Sequence, residues 1–218
     1  MDHGIYHVLN RGNVRQTVFF KDADYRVFME LLAESKRRFE IKLFAYCLMP
    51  NHFHFVVQCP KAKCYSDWMH WLTTTHVTRY LRHYDGSGHV WQGRFKSFLV
   101  QTDEYLLTVL RYVEANPIRA GMVDFADQWL WSSHNQRIGK VRNELLDKPP
   151  MAMPLAWEEW VNRAIGDAEL KAIRKCVNRQ APYGESSWQE EICQKLGIES
   201  VLRPIGRPKN NKRGQAPF

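Results

Sequence analysis

The chain has 218 residues, of which 44% are hydrophobic and 13% aromatic, with a formal net charge of +8 and a pI of about 9.3. This composition predicts a folded protein rather than a disordered one, and the length suits one core with an appendage or two small domains. No apolar run approaches the roughly 18 residues of a membrane helix, and the first residues lack a signal-peptide pattern, so we expect a cytoplasmic protein. The five cysteines form no Cys-x-x-Cys pair, which argues against a zinc knuckle or a disulfide framework.

The first part of the chain alternates strand and helix patterns. Strands are predicted at 5–9, 41–48 and 52–58, and helices at 22–39 and 66–84. Asp22 or Asp24 is expected to cap the first helix, whose predicted buried stripe is Val27, Phe28, Leu31 and Leu32.

The later part adds a strand within 89–100 and a helix from Thr102 or Asp103 to about Ala115, because Pro117 disfavours helical geometry at Asn116. The order of elements predicts an α+β fold, a ferredoxin-like split βαβ core whose antiparallel sheet has four to five strands with helices on one face. The expected organisation is a core domain at 1–135, a linker at 136–154, a helical extension at 155–200 and a flexible basic tail at 201–218. Short helices are predicted in the extension at 155–164, 167–177 and 186–196, the last capped by Ser186 or Ser187.

The third predicted strand carries two histidines around one phenylalanine, His52-Phe53-His54. Successive side chains of a strand point to opposite faces, so both imidazoles share one face while Phe53, Phe55 and Val57 face the core. Two imidazoles roughly 6–7 Å apart along the backbone can bind one metal ion. The alternative is a pair of polar residues on a half-exposed strand.

The predicted helix after the fourth strand brings Tyr112 and Asn116 onto one face, since they are four residues apart. A tyrosine hydroxyl can attack phosphorus, but its ordinary pKa near 10 means that it needs a base or a polarised target. A divalent ion held by the two histidines and the Asn116 amide oxygen would supply that polarisation, and this ligand set suits Mg²⁺ or Mn²⁺, with zinc as an alternative. Two structural alternatives remain open: Tyr112 could be a core aromatic residue, and Asn116 could simply end the helix before Pro117.

The basic residues point to a polyanionic partner, with nucleic acid as the first candidate. Between residues 79 and 96, cations alternate with aromatic rings, which is the pattern of a groove for single-stranded nucleic acid. The tail from 203 to 213 holds five further basic residues and no acid.

Four ordered segments together resemble the single-tyrosine HUH transposases, most closely their REP-associated tyrosine transposase branch, which is encoded beside repetitive extragenic palindromes in bacteria. The segments are YCLMPNHFH at 46–54, VWQGRF at 90–95, RYVEANPIRAG at 111–121 and WLWSS at 129–133. The opening HVLNRGN at 7–13 fits as well, and the resemblance covers residues 5 to about 135.

The resemblance implies that His52 and His54 are the metal-binding pair, Asn116 the third ligand and Tyr112 the nucleophile. It implies a transposase and single-strand DNA endonuclease that uses Mg²⁺ or Mn²⁺ and forms a 5′-phosphotyrosine intermediate. Its DNA would be a REP-type palindromic hairpin, which the enzyme cleaves and rejoins by transesterification. We further expect a nucleoid-associated protein that acts as a monomer, with a dimer as the alternative.

Within this frame, several residues are expected to contact DNA. Candidates for phosphate contacts are Arg11, Arg94, Lys96 and Arg119. Trp91 is expected to stack on a base and Gln92 to read one, although core packing of Trp91 is an equal alternative. Arg207 and Lys209 lie in a tail segment that resembles a minor-groove hook, or more simply an electrostatic arm. Two rival functions stay open: a hairpin-DNA-binding protein without strand transfer, and a hydrolytic nuclease that uses water.

Overall fold

The structure is a computed structural model that describes residues 1–142 and 145–203. Its centre is a four-stranded antiparallel sheet with the order β2-β3-β1-β4, which confirms the ferredoxin-like α+β core. The strands are β1 (Ile5–Arg11), β2 (Lys42–Met49), β3 (His52–Gln58) and β4 (Lys96–Val100). Arg207 and Lys209 lie outside the described residues, so the expectation for the tail stays a prediction.

Eight α-helices accompany the sheet in the described part of the chain. They are α1 (Asp22–Phe39), α2 (Ala62–His83), α3 (Glu104–Glu114), α4 (Asn116–Arg119), α5 (His134–Arg137), α6 (Trp157–Asn162), α7 (Asp167–Arg179) and α8 (Ser186–Leu196). The predicted bounds of the first helix agree with α1 at both ends. The second helix begins four residues earlier than expected, and the fourth strand is confined to the end of its predicted window.

Helices cover both faces of the sheet, so the expectation of helices on one face is wrong. Phe53, Phe55 and Val57 of β3 pack in a core with α1 and α2, as predicted. The intervening residue Val56 is also buried, and together with Cys47 of β2 it belongs to a second core that includes α3. Apolar residues on both faces of the central strands require cover on both sides. The histidine face of β3 therefore lies beneath α3.

Several local expectations about caps and stripes need correction. Lys21 is the N-cap residue of α1, and Asp24 instead accepts hydrogen bonds from the Phe20 and Lys21 amides at 2.8 and 3.1 Å. Val27 is exposed rather than buried, because the buried face of α1 consists of Tyr25, Phe28, Leu31, Leu32 and Ser35. Helix α8 begins after Glu185 and has no side-chain cap. Asp103 does cap α3, accepting from the Tyr105 amide at 3.0 Å.

Helix α3 ends one residue before the predicted position, and a single further turn follows at once. Ala115 departs from helical geometry at φ −81° and ψ 3°, and α4 then starts at Asn116. Pro117 is the second residue of α4, a position where the missing backbone N–H has no partner to lose. Tyr112 and Asn116 therefore lie in two consecutive helices, which corrects the expectation that they share one face of a single helix.

The C-terminal helices pack on the sheet rather than forming a separate body. Trp157, Ile173 and Cys176 are buried in the same core as α3. The Tyr183 amide donates to the Leu99 carbonyl at 2.8 Å, so the segment after α7 pairs with the free edge of β4 in parallel. The predicted linker is also tied to the sheet, since the Asp147 carboxylate accepts from the Leu43 amide at 2.8 Å.

All five cysteines are free thiols, which agrees with the absence of a disulfide pattern. In the described ranges, no helix combines the length and apolar character needed to cross a membrane.

Candidate functional site

The predicted histidines, tyrosine and asparagine line one cavity of about 350 Å³ between the histidine face of the sheet and helices α3, α4 and α7. Its lining side chains include His52, His54, Tyr112, Asn116, Arg11, Arg119, Arg174 and Asn178. Among the described residues that line it, three are arginines and none is acidic. A concave site with cations and no carboxylate favours an anionic ligand.

His52 and His54 lie side by side on one wall of the cavity, with ring centroids 5.1 Å apart and ring planes nearly perpendicular at 83°. Their cross-strand neighbours in β1 are Arg11 and Leu9, which lie on the same face of the sheet. His52 Nδ1 is 2.6 Å from the Asn51 side-chain oxygen, so this nitrogen carries the proton. The lone pair of His52 then lies on Nε2, the atom left for a ligand.

Both imidazoles stay neutral at pH 7. Burial lowers the pKa of His52 to about 4, and the cations Arg11 and Arg119 add to that effect. Burial also lowers the pKa of His54 well below its usual value, with the neighbouring histidines and arginines contributing in the same direction. A histidine must be deprotonated at the nitrogen that binds a metal, so both rings are already in the protonation state that a metal ligand requires.

A third histidine, which sequence reasoning missed, lies behind the pair. His7 of β1 is fully buried, and its Nε2 is 2.9 Å from His54 Nδ1 with the two rings stacked at an interplanar angle of 2°. Burial lowers the pKa of His7 to about 3, so this ring is also neutral. Part of the signal was present in the sequence, because His7 shares one face of the first predicted strand with Ile5 and Leu9, and in the structure that strand pairs with β3.

Tyr112 meets the histidines from the other side of the cavity. Its ring centroid is 5.9 Å from that of His54 and 6.0 Å from that of His7, edge-on to both. The Arg119 guanidinium lies 3.8 Å above the Tyr112 ring and donates a hydrogen bond of 2.6 Å to the Tyr112 carbonyl. The tyrosine is only 7% exposed, so its ring is held by packing and faces the cavity rather than bulk solvent.

Asn116 completes the side of the cavity below Tyr112. It is 6% exposed, and its side-chain nitrogen is buried without a hydrogen-bond partner in the described structure. A buried amide N–H left without a partner is costly, and a ligand that carries a hydrogen-bond acceptor, such as a phosphate oxygen, would relieve that cost. No group of three or more His, Cys, Asp or Glu side chains among residues 1–142 and 145–203 has a metal-site arrangement. The candidate donor set is therefore two imidazoles and one amide, and it fits a divalent cation with open positions.

Comparison with known proteins decides the family. The family model described as "Transposase IS200 like" matches residues 1–116, which is more than half of the chain. The chain belongs to this family. It is therefore a DNA-processing enzyme, and the sequence-based recognition of a tyrosine transposase is confirmed.

Two known proteins show which kind of transposase this chain resembles. A Haemophilus influenzae protein named "Putative REP-associated tyrosine transposase" is 27% identical over 123 residues, which is 51% of this chain and 69% of that protein. A solved structure of a REP-associated tyrosine transposase bound to a REP hairpin matches with a TM-score of 0.54 at 15% identity, over 71% of this chain and 94% of the other. The structural match shows a shared fold.

The residues predicted to contact DNA separate into two groups in the transposase. Gln92, Arg94 and Lys96 are exposed and, with Arg11, line a second cavity of about 320 Å³ next to the histidine site. Trp91 is instead 5% exposed, and its ring packs against Phe53 at 5.1 Å in the core. This burial favours the core-packing alternative for Trp91 over stacking on a base. Its apolar neighbours on α1, α2 and β3 take up the surface that a base would need.

A buried ionic network fixes the tyrosine helix, and sequence reasoning missed it as well. Glu114 of α3 is fully buried and accepts hydrogen bonds from Ser133, Arg137 and Trp157 at 2.6, 2.7 and 2.8 Å, with His134 at 3.1 Å. Burial by itself raises the pKa of this carboxyl, but Arg137, His134 and Ser133 outweigh burial and lower the pKa to about 2. The charged carboxylate therefore ties α3 to both α5 and α6.

Helix α7 contributes Arg174 and Asn178 to the wall of the histidine cavity. Neither residue was predicted to belong to the site, since α7 lies more than 50 positions after Tyr112 and carries no motif. Only the packing of α7 against the sheet brings these side chains to the cavity.

Proposed function

We propose that this transposase cleaves and rejoins single-stranded DNA at REP-type palindromic hairpins, using Tyr112 as the nucleophile. The observation that carries the proposal is the meeting of the Tyr112 ring with the His54 ring at 5.9 Å, in a cavity also lined by His52, Asn116 and Arg119. A tyrosine, two neutral imidazoles and cations around one anion-sized cavity suit phosphoryl transfer.

In the proposed reaction the Tyr112 oxygen bonds to the phosphorus of a phosphodiester as the bond to the 3′ oxygen breaks. The phenol loses its proton and the departing 3′ oxygen gains one, so the proton count is unchanged. The product holds the 5′-phosphate on Tyr112, and a 3′-hydroxyl can attack it to rejoin a strand. One phosphodiester replaces another, so no nucleotide cofactor is required.

His52, His54 and Asn116 are the residues that would hold Mg²⁺ or Mn²⁺ in this proposal. When bound, the ion would act as a Lewis acid on the phosphate oxygens. The protein's own share is to keep both imidazoles neutral by burial, to engage both Nδ1 atoms in hydrogen bonds so that the Nε2 atoms are left for a ligand, and to hold the phenol ring under Arg119. These contacts orient the nucleophile before the DNA arrives.

The proposed partner is a DNA hairpin with a single-stranded foot. The relative solved with a REP hairpin supports this substrate class, and the exposed Gln92, Arg94 and Lys96 beside the cavity suit a strand that leads into it. A single chain supplies both the histidine pair and the tyrosine, which supports action as a monomer. A protein with this substrate would work at the nucleoid.

The test is a labelled hairpin oligonucleotide incubated with the full chain in Mg²⁺ or Mn²⁺, followed by denaturing electrophoresis. A DNA adduct that survives denaturation is expected, and it should disappear with EDTA and in Tyr112→Phe. Tyr105→Phe is the matched control, because it makes the same change on the same helix in a residue that packs against Tyr183 instead.

Three outcomes would contradict the proposal. An adduct that persists in Tyr112→Phe rejects Tyr112 as the nucleophile. Tight hairpin binding with no cleavage in either metal favours a DNA-binding protein without strand transfer. Cleavage without an adduct, unaffected by Tyr112→Phe, favours a nuclease that activates water.

A further inference from the structure

Helix α7 forms a wall of the candidate site that the family match does not include, since that match ends at residue 116. Arg174, Val177 and Asn178 lie at spacings of three and four residues, hence on neighbouring turns of one helical face, and all three line the histidine cavity. The cavity is thus closed by the C-terminal part of the same chain.

The position of α7 is fixed by packing on the sheet. Ile173 and Cys176 are buried in the core that also holds α3. Just after the helix, Tyr183 pairs with the edge of β4, and the Gln101 amide donates to the Tyr183 carbonyl at 2.9 Å. Because both the buried face and the following segment are anchored, the neighbouring face of α7 with Arg174, Val177 and Asn178 is held against the cavity.

The outward face of α7 is basic. Lys171, Arg174 and Lys175 are exposed, and none of the three has an ion pair with a described carboxylate. They line a shallow depression that continues from the cavity along the helix, with Asp167 at its far end. Burial lowers the pKa of Arg119, and the charge of Arg174 adds to this effect, so the two cations act on each other across the cavity.

Asn178 connects this face to the predicted DNA-contacting residues. Together with Val177 it also lines the second cavity, opposite Arg11, Arg94 and Lys96. One surface therefore runs from Lys96, past the histidine site, to Lys171. Basic side chains line this surface both on the sheet side and on α7, which is the arrangement of a groove that follows a nucleic-acid backbone.

We propose that α7 is a DNA-binding element of this transposase, in which Arg174 contacts a backbone phosphate at the cleavage site and Asn178 hydrogen-bonds the same strand. The inference rests on the proposed function for its substrate class. It gives the C-terminal part a second role besides covering the core, which is to bind the DNA strand from the side of the cavity that lies opposite the sheet. Arg174 acts here as a binding residue, and the chemistry remains with Tyr112.

The experiment measures binding in the Tyr112→Phe background, where no DNA is consumed. A fluorescent hairpin with a single-stranded foot is titrated with protein at several salt concentrations. Arg174→Ala should weaken binding about tenfold near 0.1 M salt, and the plot of log affinity against log salt should become less steep by about 0.7 for a contact to a single strand. Asn178→Ala should weaken binding less and leave the slope unchanged, because it removes no charge.

Arg163→Ala is the matched control. Arg163 is an exposed arginine of the same C-terminal part, paired with Glu159 at 3.6 Å, and it is not among the residues that line the site cavity. It should leave both affinity and slope unchanged. If Arg174→Ala binds with the affinity and salt slope of its parent, the inference is wrong.

Adduct formation with Tyr112 intact separates this inference from the proposed function. Arg174→Ala should form less adduct at low DNA concentration and recover at saturating DNA. If the unmodified protein forms the adduct and Arg174→Ala binds DNA and forms adduct equally well, the role of α7 is wrong and the proposed function stands. If the unmodified protein forms no adduct but Arg174→Ala still weakens DNA binding about tenfold, the proposed chemistry is wrong and the role of α7 is supported.

Discussion

His7 Nε2 lies 2.9 Å from His54 Nδ1, and the two rings are stacked almost parallel. If His54 is to bind a cation through Nε2, that atom needs its lone pair, so the proton must be on Nδ1 and must be donated to His7 Nε2. His7 then fixes both the tautomer and the orientation of His54 from behind. Partners of this kind commonly tune metal affinity without touching the metal.

Replacing His7 with Phe should therefore weaken metal binding. The ring volume is roughly retained, but the His54 Nδ1–H loses its acceptor, and we expect Mn²⁺ affinity to fall about 10- to 100-fold. Titration calorimetry of the protein with Mn²⁺ alone measures this without DNA. His76→Phe is the control, since it replaces a buried histidine in the core on the other face of the sheet. Equal affinities in the two variants would contradict the role of His7.

Asn116→Ala should also weaken Mn²⁺ binding, because it removes the only amide oxygen of the proposed ligand set. We expect a loss of about tenfold or more, and Asn116→Asp should restore or exceed the original affinity by supplying a carboxylate. The same calorimetry applies, with Asn178→Ala as a control from the opposite wall of the cavity. Unchanged Mn²⁺ affinity in Asn116→Ala would show that Asn116 is not a metal ligand and has only a structural role in its helix.

Arg119 should affect the rate of the chemical step more than DNA binding. Its guanidinium packs on the Tyr112 ring and adds positive charge where a phosphate would be attacked. Arg119→Ala is expected to slow single-turnover adduct formation about 100-fold at saturating DNA. Arg119→Lys keeps the charge but loses the planar stacking surface, so its rate of adduct formation should lie between those of the unmodified protein and Arg119→Ala. Arg94→Ala should instead require more DNA for half-maximal rate and keep the maximal rate, and identical behaviour of the two alanine variants would contradict this division.

Glu114→Gln should destabilise the protein without touching the cavity. It leaves the buried Arg137 without its counter-charge, and we expect a loss of about 3 to 5 kcal/mol in the free energy of unfolding by urea. The exposed pair of Glu159 with Arg163 provides the control, and Glu159→Gln should cost about 0.5 kcal/mol or less. A loss in Glu114→Gln no larger than in the control would show that the network contributes little.

The pH dependence of stability follows from the same group. The pKa of Glu114 is lowered from 4.5 to about 2 on folding, so the unfolded chain takes up the proton first as the pH falls. The stabilisation is complete above about pH 4.5 and is lost between there and about pH 2. Urea unfolding across this range should show the loss in the parent and a smaller one in Glu114→Gln. Parallel curves would contradict the lowered pKa.

The sequence by itself determined the features that depend on local geometry. Alternation along a strand sets His52 and His54 on one side and Phe53 on the other, whatever the rest of the chain does. The spacing of four residues also pointed to a shared site for Tyr112 and Asn116, although the structure places them in two consecutive helices rather than in one. The order of strands and helices was readable for the same reason, and it specified the ferredoxin-like core.

Only the tertiary structure decided which of these faces meet and what else joins them. Trp91 has the same local pattern whether it lies in a groove or in the core, and its packing against Phe53 placed it inside. His7 contacts His54, which is 47 residues later in the chain, and Arg174 lines the same cavity as Tyr112, which is more than 50 residues earlier. Such contacts arise from burial of apolar surface on both sides of the sheet, which acts on the whole molecule and leaves no local signature in the chain.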